Sequence, residues 1–153
     1  MTVYLIRHAD ALSRQEWAHD DHERPLTPKG FDQARGLVDL LGDAAVTRML
    51  TSPTVRCRQT LEPLAAHLGL VVDDAPALLE GVALGDARAL LDEAAGHDGD
   101  VALCSHGDLI PDLVRHLVAE GMEAHGRDAK KGSTWVLEHD GRRFVRGRYL
   151  PAP

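Results

Sequence analysis

Cysteine is scarce in this 153-residue sequence, with Cys57 and Cys104 its only two thiols. Two cysteines do not make a disulfide framework, and both read as buried free thiols near one edge of a sheet. No apolar run approaches the ~20 residues that a bilayer span requires, and the N-terminus lacks the basic-then-apolar layout of a signal peptide. The expected compartment is therefore the cytoplasm. Positive charge is in deficit, with 17 Lys and Arg against 24 Asp and Glu and a net charge of −7. A nucleic-acid polymer would require a clustered basic face, so that class of partner is excluded. The sequence also lacks a His-Glu-x-x-His, a paired Cys-x-x-Cys and a P-loop, which removes support for zinc or P-loop nucleotide chemistry. There is no internal repeat, low-complexity tract or dividing linker. With 44% hydrophobic and 27% charged residues, the chain reads as one soluble domain over 1–153.

What is present begins at the N-terminus. Thr2-Val3-Tyr4-Leu5-Ile6 is a short apolar, partly β-branched run that reads as a buried strand, and it ends abruptly in Arg7-His8. A second run, Val101-Ala102-Leu103-Cys104, ends the same way in Ser105-His106-Gly107. A third, Thr47–Leu50, leads into Ser52-Pro53-Thr54-Val55-Arg56. There Ser52 reads as the cap and Pro53 as the first residue of a helix reaching His67, with Gly69 closing it. Between these runs, Thr27-Pro28 starts a helix whose Ala34, Leu37, Val38 and Leu41 recur at helical spacing up to Gly42. Further helices are expected over 86–95 and 110–120, an edge strand over 70–72, and two strands, 134–138 and 143–149, joined at Asp140-Gly141. Alternating strands and helices imply a three-layer α/β/α sandwich on a mostly parallel sheet, with a C-terminal antiparallel hairpin.

In open α/β sheets, ligands bind beyond the carboxyl ends of the strands. Arg7, His8 and His106 all fall there, and Arg56 sits on the first turn of a helix at the same edge. A helix N-terminus and two arginines in one place describe a site for a compact anion such as a phosphoryl group. Glu80, in a short loop after Leu78-Leu79, is the candidate proton donor. His19-Asp20-Asp21-His22 has the composition of a metal cluster but suits a solvated loop better, so no metal is expected. Arg14 and Trp17 could wall the pocket, and Lys130-Lys131 could reach a second anionic group of a substrate.

Leu5-Ile6-Arg7-His8, Arg24-Pro25-Leu26-Thr27-Pro28-Lys29-Gly30 with Gln33-Ala34, Ser52-Pro53 with Arg56 and Gln59-Thr60, and Ser105-His106-Gly107 occur in this order. The ordered set resembles the histidine phosphatase superfamily, which has the phosphoglycerate-mutase-like fold. The short length, His8-Ala9 and the 131–137 stretch look most like its small phosphohistidine-phosphatase branch. They are also similar to the phosphatase domains fused behind bacterial Nudix hydrolases. No Nudix signature is present, so the chain looks like such a domain standing alone.

The resemblance implies a metal-independent phosphatase without a cofactor. His8 would be the nucleophile that forms a phosphohistidine, Arg7, Arg56 and His106 the phosphate-binding groups, and Glu80 the acid. The short phosphohistidine phosphatases commonly lack an acid at this place, so Glu80 departs from that branch. The partner would be a phosphohistidine protein or a phosphorylated small molecule. Three alternatives stand beside this reading: a nucleotide or small-molecule phosphomonoesterase, a mutase, and a non-catalytic phospho-binding module. Only about twenty residues separate Glu80 from Val101, which leaves little for the lid a mutase needs.

Overall fold

The computed structural model describes residues 1–153. Its elements, in chain order, are β1 (Thr2–Arg7), α1 (Pro28–Leu41), β2 (Val46–Thr51), α2 (Val55–Leu68), β3 (Val72–Asp74), α3 (Leu84–Ala95), β4 (Asp100–Ser105), α4 (Leu109–Ala119), β5 (Glu123–His125), β6 (Thr134–His139) and β7 (Phe144–Leu150). The seven strands form one sheet in the order β3-β2-β4-β1-β6-β7-β5. β3, β2, β4 and β1 are parallel, whereas β6 runs antiparallel to both β1 and β7. The expected three-layer α/β/α sandwich and terminal hairpin are both present.

The layers follow from the two-residue period of the central strands. Val3 and Leu5 of β1 and Val101 and Leu103 of β4 face a cluster completed by Leu91, Ile110, Leu113 and Trp135, beneath α3 and α4. Ile6, Ala102 and Cys104 face the opposite cluster, where Leu37, Leu41, Leu61 and Leu64 arrive from α1 and α2. β1 and β4 are buried on both faces, which is why they read as continuous apolar runs. Cys57 and Cys104 are both free and buried, in that second cluster.

α1 starts as its sequence predicts: the Thr27 side chain accepts from Gly30 N and Pro28 opens the first turn. Gly69 closes α2 in the left-handed conformation at φ 68°. The start of α2 differs from expectation. Its cap is Thr54, without a side-chain cap bond, and Pro53 lies outside the helix. Ser52 turns into the core instead, for a reason the site supplies. β3 begins two residues later than expected, because Leu70 N still bonds back to Ala65 O at the end of α2. The β6–β7 connection is wider than a two-residue turn. Asp140 Oδ1 accepts from both Arg142 N and Arg143 N, and His139 pairs with Phe144. β5 was not foreseen, since three residues with no apolar alternation carry no periodic signal.

Candidate active site

The carboxyl ends of β1, β4 and β2 are tied together by backbone. His8 N donates to Ser105 O at 3.0 Å, and Ser52 N donates to Cys104 O at 2.9 Å. The chain then leaves β1 through a loop braced by side chains that the sequence motifs carry. Ala9 N donates to Thr60 Oγ1, Asp10 N to Gln33 Oε1 and Leu26 N to Gln59 Oε1, each at 2.9 Å. Gly30 lets the first turn of α1 sit directly against the Asp10 carbonyl, where a Cβ would clash. Gln33, Gln59, Thr60 and Gly30 are thus structural clamps that hold the His8 loop on α1 and α2.

All five residues singled out from sequence, Arg7, His8, Arg56, Glu80 and His106, line one cavity of about 290 Å³ with no hydrophobic lining. His8 is 6% exposed and its Nδ1 lies 2.8 Å from Ala9 O. A carbonyl only accepts, so Nδ1 carries the proton and Nε2 keeps its lone pair. Burial pushes this imidazole down to about 3; the Ala9 hydrogen bond opposes the shift, and His106, Arg56 and Arg7 add to it. His8 is therefore neutral at physiological pH.

His106 packs edge-on to His8, with ring centroids 5.4 Å apart. Its Nε2 lies 2.8 Å from Ser52 Oγ and 3.6 Å from Cys57 Sγ. This is why Ser52 does not cap α2: its hydroxyl orients the second histidine. Ser105 Oγ donates to Leu78 O at 2.7 Å, fixing the strand end beside the Glu80 loop.

Arg7 donates through Nη1 to Ala129 O at 2.7 Å. Gly107 allows its guanidinium to lie flat on the loop after β4, since a Cβ there would come within 2.5 Å of Cζ. Arg56 is 1% exposed. It donates to Asp21 O at 2.7 Å and approaches the carboxylates of Asp21 at 3.2 Å and Glu80 at 3.5 Å. The Nε–H groups of both arginines are buried and have no protein partner. Both guanidinium groups line one polar cavity, where an oxyanion would meet two cationic donors.

Glu80 and Asp108 line the same cavity among these cations. Arg14 Nη2 lies 3.0 Å from each oxygen of Glu80. Asp21 pairs with Arg24, Arg56 and Arg14 at 2.9, 3.2 and 3.5 Å. Burial favours its neutral acid, but the Arg24 hydrogen bond and the three positive charges outweigh this and hold Asp21 below the usual carboxylate range. Asp108 Oδ2 accepts from Gly81 N at 2.9 Å and so ties the Glu80 loop to the loop after β4. Reasoning from sequence missed Asp21, Arg24 and Ser52 as members of this network. The polar 10–27 loop gave no periodicity by which to rank its charged residues. No cluster of three or more His, Cys, Asp or Glu side chains has the geometry of a metal site, and His19-Asp20-Asp21-His22 serves the arginine network through Asp21.

Comparison with known proteins gives the same picture. The model of the histidine phosphatase superfamily (branch 1) matches residues 3–88. The 8-oxo-(d)GTP phosphatase of Mycolicibacterium smegmatis is 35% identical over 99% of this chain, which spans about half (48%) of that relative's length. The phosphohistidine phosphatase SixA of Escherichia coli is 36% identical, over 78% of this chain and 73% of its own. The structure of the protein histidine phosphatase SixA complexed with tungstate superposes with a TM-score of 0.76 at 27% identity, covering 99% of this chain and 95% of that one. A neutral buried histidine at the end of β1, a second at the end of β4 and paired arginines between them are thus phosphohistidine-phosphatase-like machinery, and the chain belongs to the histidine phosphatase superfamily.

Proposed function

We propose that this protein is a metal-independent phosphatase that works through a phosphohistidine on His8. The observation that carries the reading is the Nδ1–Ala9 O bond, which leaves Nε2 of a neutral, buried imidazole as the nucleophile. Nε2 attacks phosphorus as the bond to the leaving atom breaks, an ester oxygen or the ring nitrogen of a phosphohistidine, and the electron pair departs with that atom. Water then cleaves the P–N bond, releasing inorganic phosphate and restoring His8. Arg7 and Arg56 neutralise the phosphoryl oxygens with preplaced donors, the main protein contribution to phosphoryl transfer. His106, whose Nε2 is held by the Ser52 hydroxyl, is the third group proposed to bind these oxygens.

Glu80 is the proposed acid. In the free protein its oxygens are held by Arg14, so a leaving group that needs its proton must first draw it from that pair. Most of the residues between Glu80 and β4 form α3, packed on the core through Ala87, Leu91 and Ala94. Only 81–83 and 96–99 of this stretch lie outside α3, too few for a mutase lid, which favours a hydrolase. A pure binding module would need the arginines but not a nucleophilic His8. The phosphohistidine-phosphatase relatives support a phosphohistidine protein as substrate. The M. smegmatis relative, together with Glu80, supports a nucleotide or other small phosphate ester.

The test is direct. Enzyme quenched in alkaline detergent during turnover of a ³²P-labelled substrate is expected to carry base-stable, acid-labile label on His8, and His8→Ala to carry none and to lose turnover. Hydrolysis by His8→Ala at near wild-type rate would overturn the covalent route.

A further inference from the structure

The largest cavity of the molecule, about 570 Å³, shares no residue with the phosphoryl cavity. It lies between α4, β5 and the turn that leads from β5 to β6. Pro111, Val114, Arg115, Val118 and Ala119 recur at three- and four-residue spacing and so form one stripe along α4. Leu113 and Leu117 carry the neighbouring stripe into the core. The apolar arc of α4 is thus wider than the core covers. It leaves Val118 43% exposed, one of only three large hydrophobic residues open to solvent.

The facing wall is held in place. A Cβ on Gly126 would come within 2.3 Å of Tyr149 Cβ, so glycine lets the turn close over Trp135. Trp135 Nε1 then donates to Asp128 O at 2.8 Å, and Arg7 Nη1 to Ala129 O at 2.7 Å. The three charges of the lining, Arg115, Arg127 and Asp128, are exposed. Arg115 is paired with Asp112 on its own helix. Asp128 engages Ala129 N through Oδ1 at 3.0 Å, and its Oδ2 lies 3.7 Å from Lys130. Arg127 makes no ion pair and no side-chain hydrogen bond in the fold, so an uncommitted cation stands beside an apolar cleft.

We infer that this cleft binds a small amphipathic carboxylate, its aliphatic body along Val114, Val118 and Trp135 and its head at Arg127, at a site separate from the phosphoryl cavity. The volume and the mostly apolar lining with few polar groups are those of a small-molecule site. A stable protein partner would cover about 800 Å², and the exposed residues that follow the stripe and the turn in sequence, Asp112, Glu120, Glu123 and His125, extend no apolar face of that breadth. The body is aliphatic because the lining offers no ring face for stacking. Trp135 is 2% exposed and already tilted against Tyr149, with centroids 5.7 Å apart. The apolar stripe removes the chain from water, and the carboxylate gives Arg127 the counter-ion that the fold does not.

The probe is decanoate, titrated into Trp17→Phe so that Trp135 is the sole indole. The expected result is a saturable change in Trp135 emission at one decanoate per chain, with octanoate about tenfold weaker for the loss of two buried methylenes. Arg127→Glu in that background is expected to weaken decanoate tenfold or more and to change decanol less than twofold, whereas Val118→Asp weakens both. Both positions are exposed, so either variant alone suffices as the test. Saturating inorganic phosphate is expected to leave decanoate binding unchanged. No saturable binding, equal affinity in both variants and their parent, or displacement by phosphate would overturn the site. A dimer in sedimentation velocity that Val118→Asp splits would assign the cleft to a second copy of the chain and would equally overturn it. None of these measurements involves turnover, so their outcome is independent of the reading of His8.

Discussion

At the scale of single residues, the proposed function turns on two titratable side chains with opposite surroundings. His8 is buried and held neutral, with its pKa at about 3. Unfolded, the same imidazole titrates near its ordinary value of about 6.5. Between these two values the unfolded chain binds a proton that the folded one does not. The stability from this group is therefore complete above pH 6.5 and is lost as the pH falls toward 3, at up to about 1.4 kcal/mol per pH unit. His8→Asn is expected to flatten the decline of melting temperature between pH 6.5 and 4, measured against wild type so that the carboxylates cancel. Identical slopes would show that His8 is not held neutral. Glu80 sits at the other extreme, open to solvent and gripped by arginine. An alkyl phosphate releases a strongly basic alkoxide and needs a proton donor, whereas an aryl phosphate does not. If Glu80 is that donor, Glu80→Gln slows alkyl phosphates by about 10²–10⁴-fold and barely alters p-nitrophenyl phosphate. Equal small effects would leave Glu80 as an arginine partner only.

At the scale of elements, the first turn of α1 links stability to the site. Thr27 Oγ1 accepts from Gly30 N and donates to Asp10 Oδ2, so one hydroxyl both caps the helix and restrains the loop after His8. Thr27→Ala removes both bonds. It is expected to cost about 1–2 kcal/mol in urea unfolding, at the upper end of the range for a lost cap. A loss below ~0.3 kcal/mol would mean that water replaces the cap without penalty. α2 contributes differently. Its N-terminus has no side-chain cap, and Thr54 Oγ1 is buried without a partner. The element that delivers Arg56 is thus uncapped by any side chain.

At the scale of the whole molecule, binding of an oxyanion should be visible as stability. Sulfate or vanadate that binds only the folded state adds about 2.7 kcal/mol at a hundred times its Kd, which is several degrees in Tm for a chain of this size. Arg56→Ala is expected to weaken the shift strongly, because it removes one of the two arginines proposed to hold the anion. A full shift in that variant would place the anion elsewhere. Turnover is expected to be unchanged by a chelator, and a requirement for added divalent metal would count against the histidine route. None of the helices is long and apolar enough to cross a membrane.

The layered sheet, the order of its elements and the placing of His8, His106, Arg7 and Arg56 at one edge were legible in the sequence. They rest on local signals: strands buried on both faces are continuously apolar, Thr-Pro and Gly mark helix ends, and a strand that stops at a polar pair delivers that pair to the sheet edge. Other features depended on residues far apart in the chain. Ser52 reads as a cap, yet it bonds to His106, 54 positions away, because the crossover from β2 and the end of β4 meet at the same edge. Asp21 reads as one acid in a solvated loop, and only the folding of that loop over α2 brings it to Arg56. Val118 reads as one more apolar residue of a helix, and it lines a cavity only because the turn bearing Arg127 closes over Trp135. Periodicity and capping are short-range and can be read along the chain. Charge pairing and cavities are through-space, and the tertiary structure alone decided them.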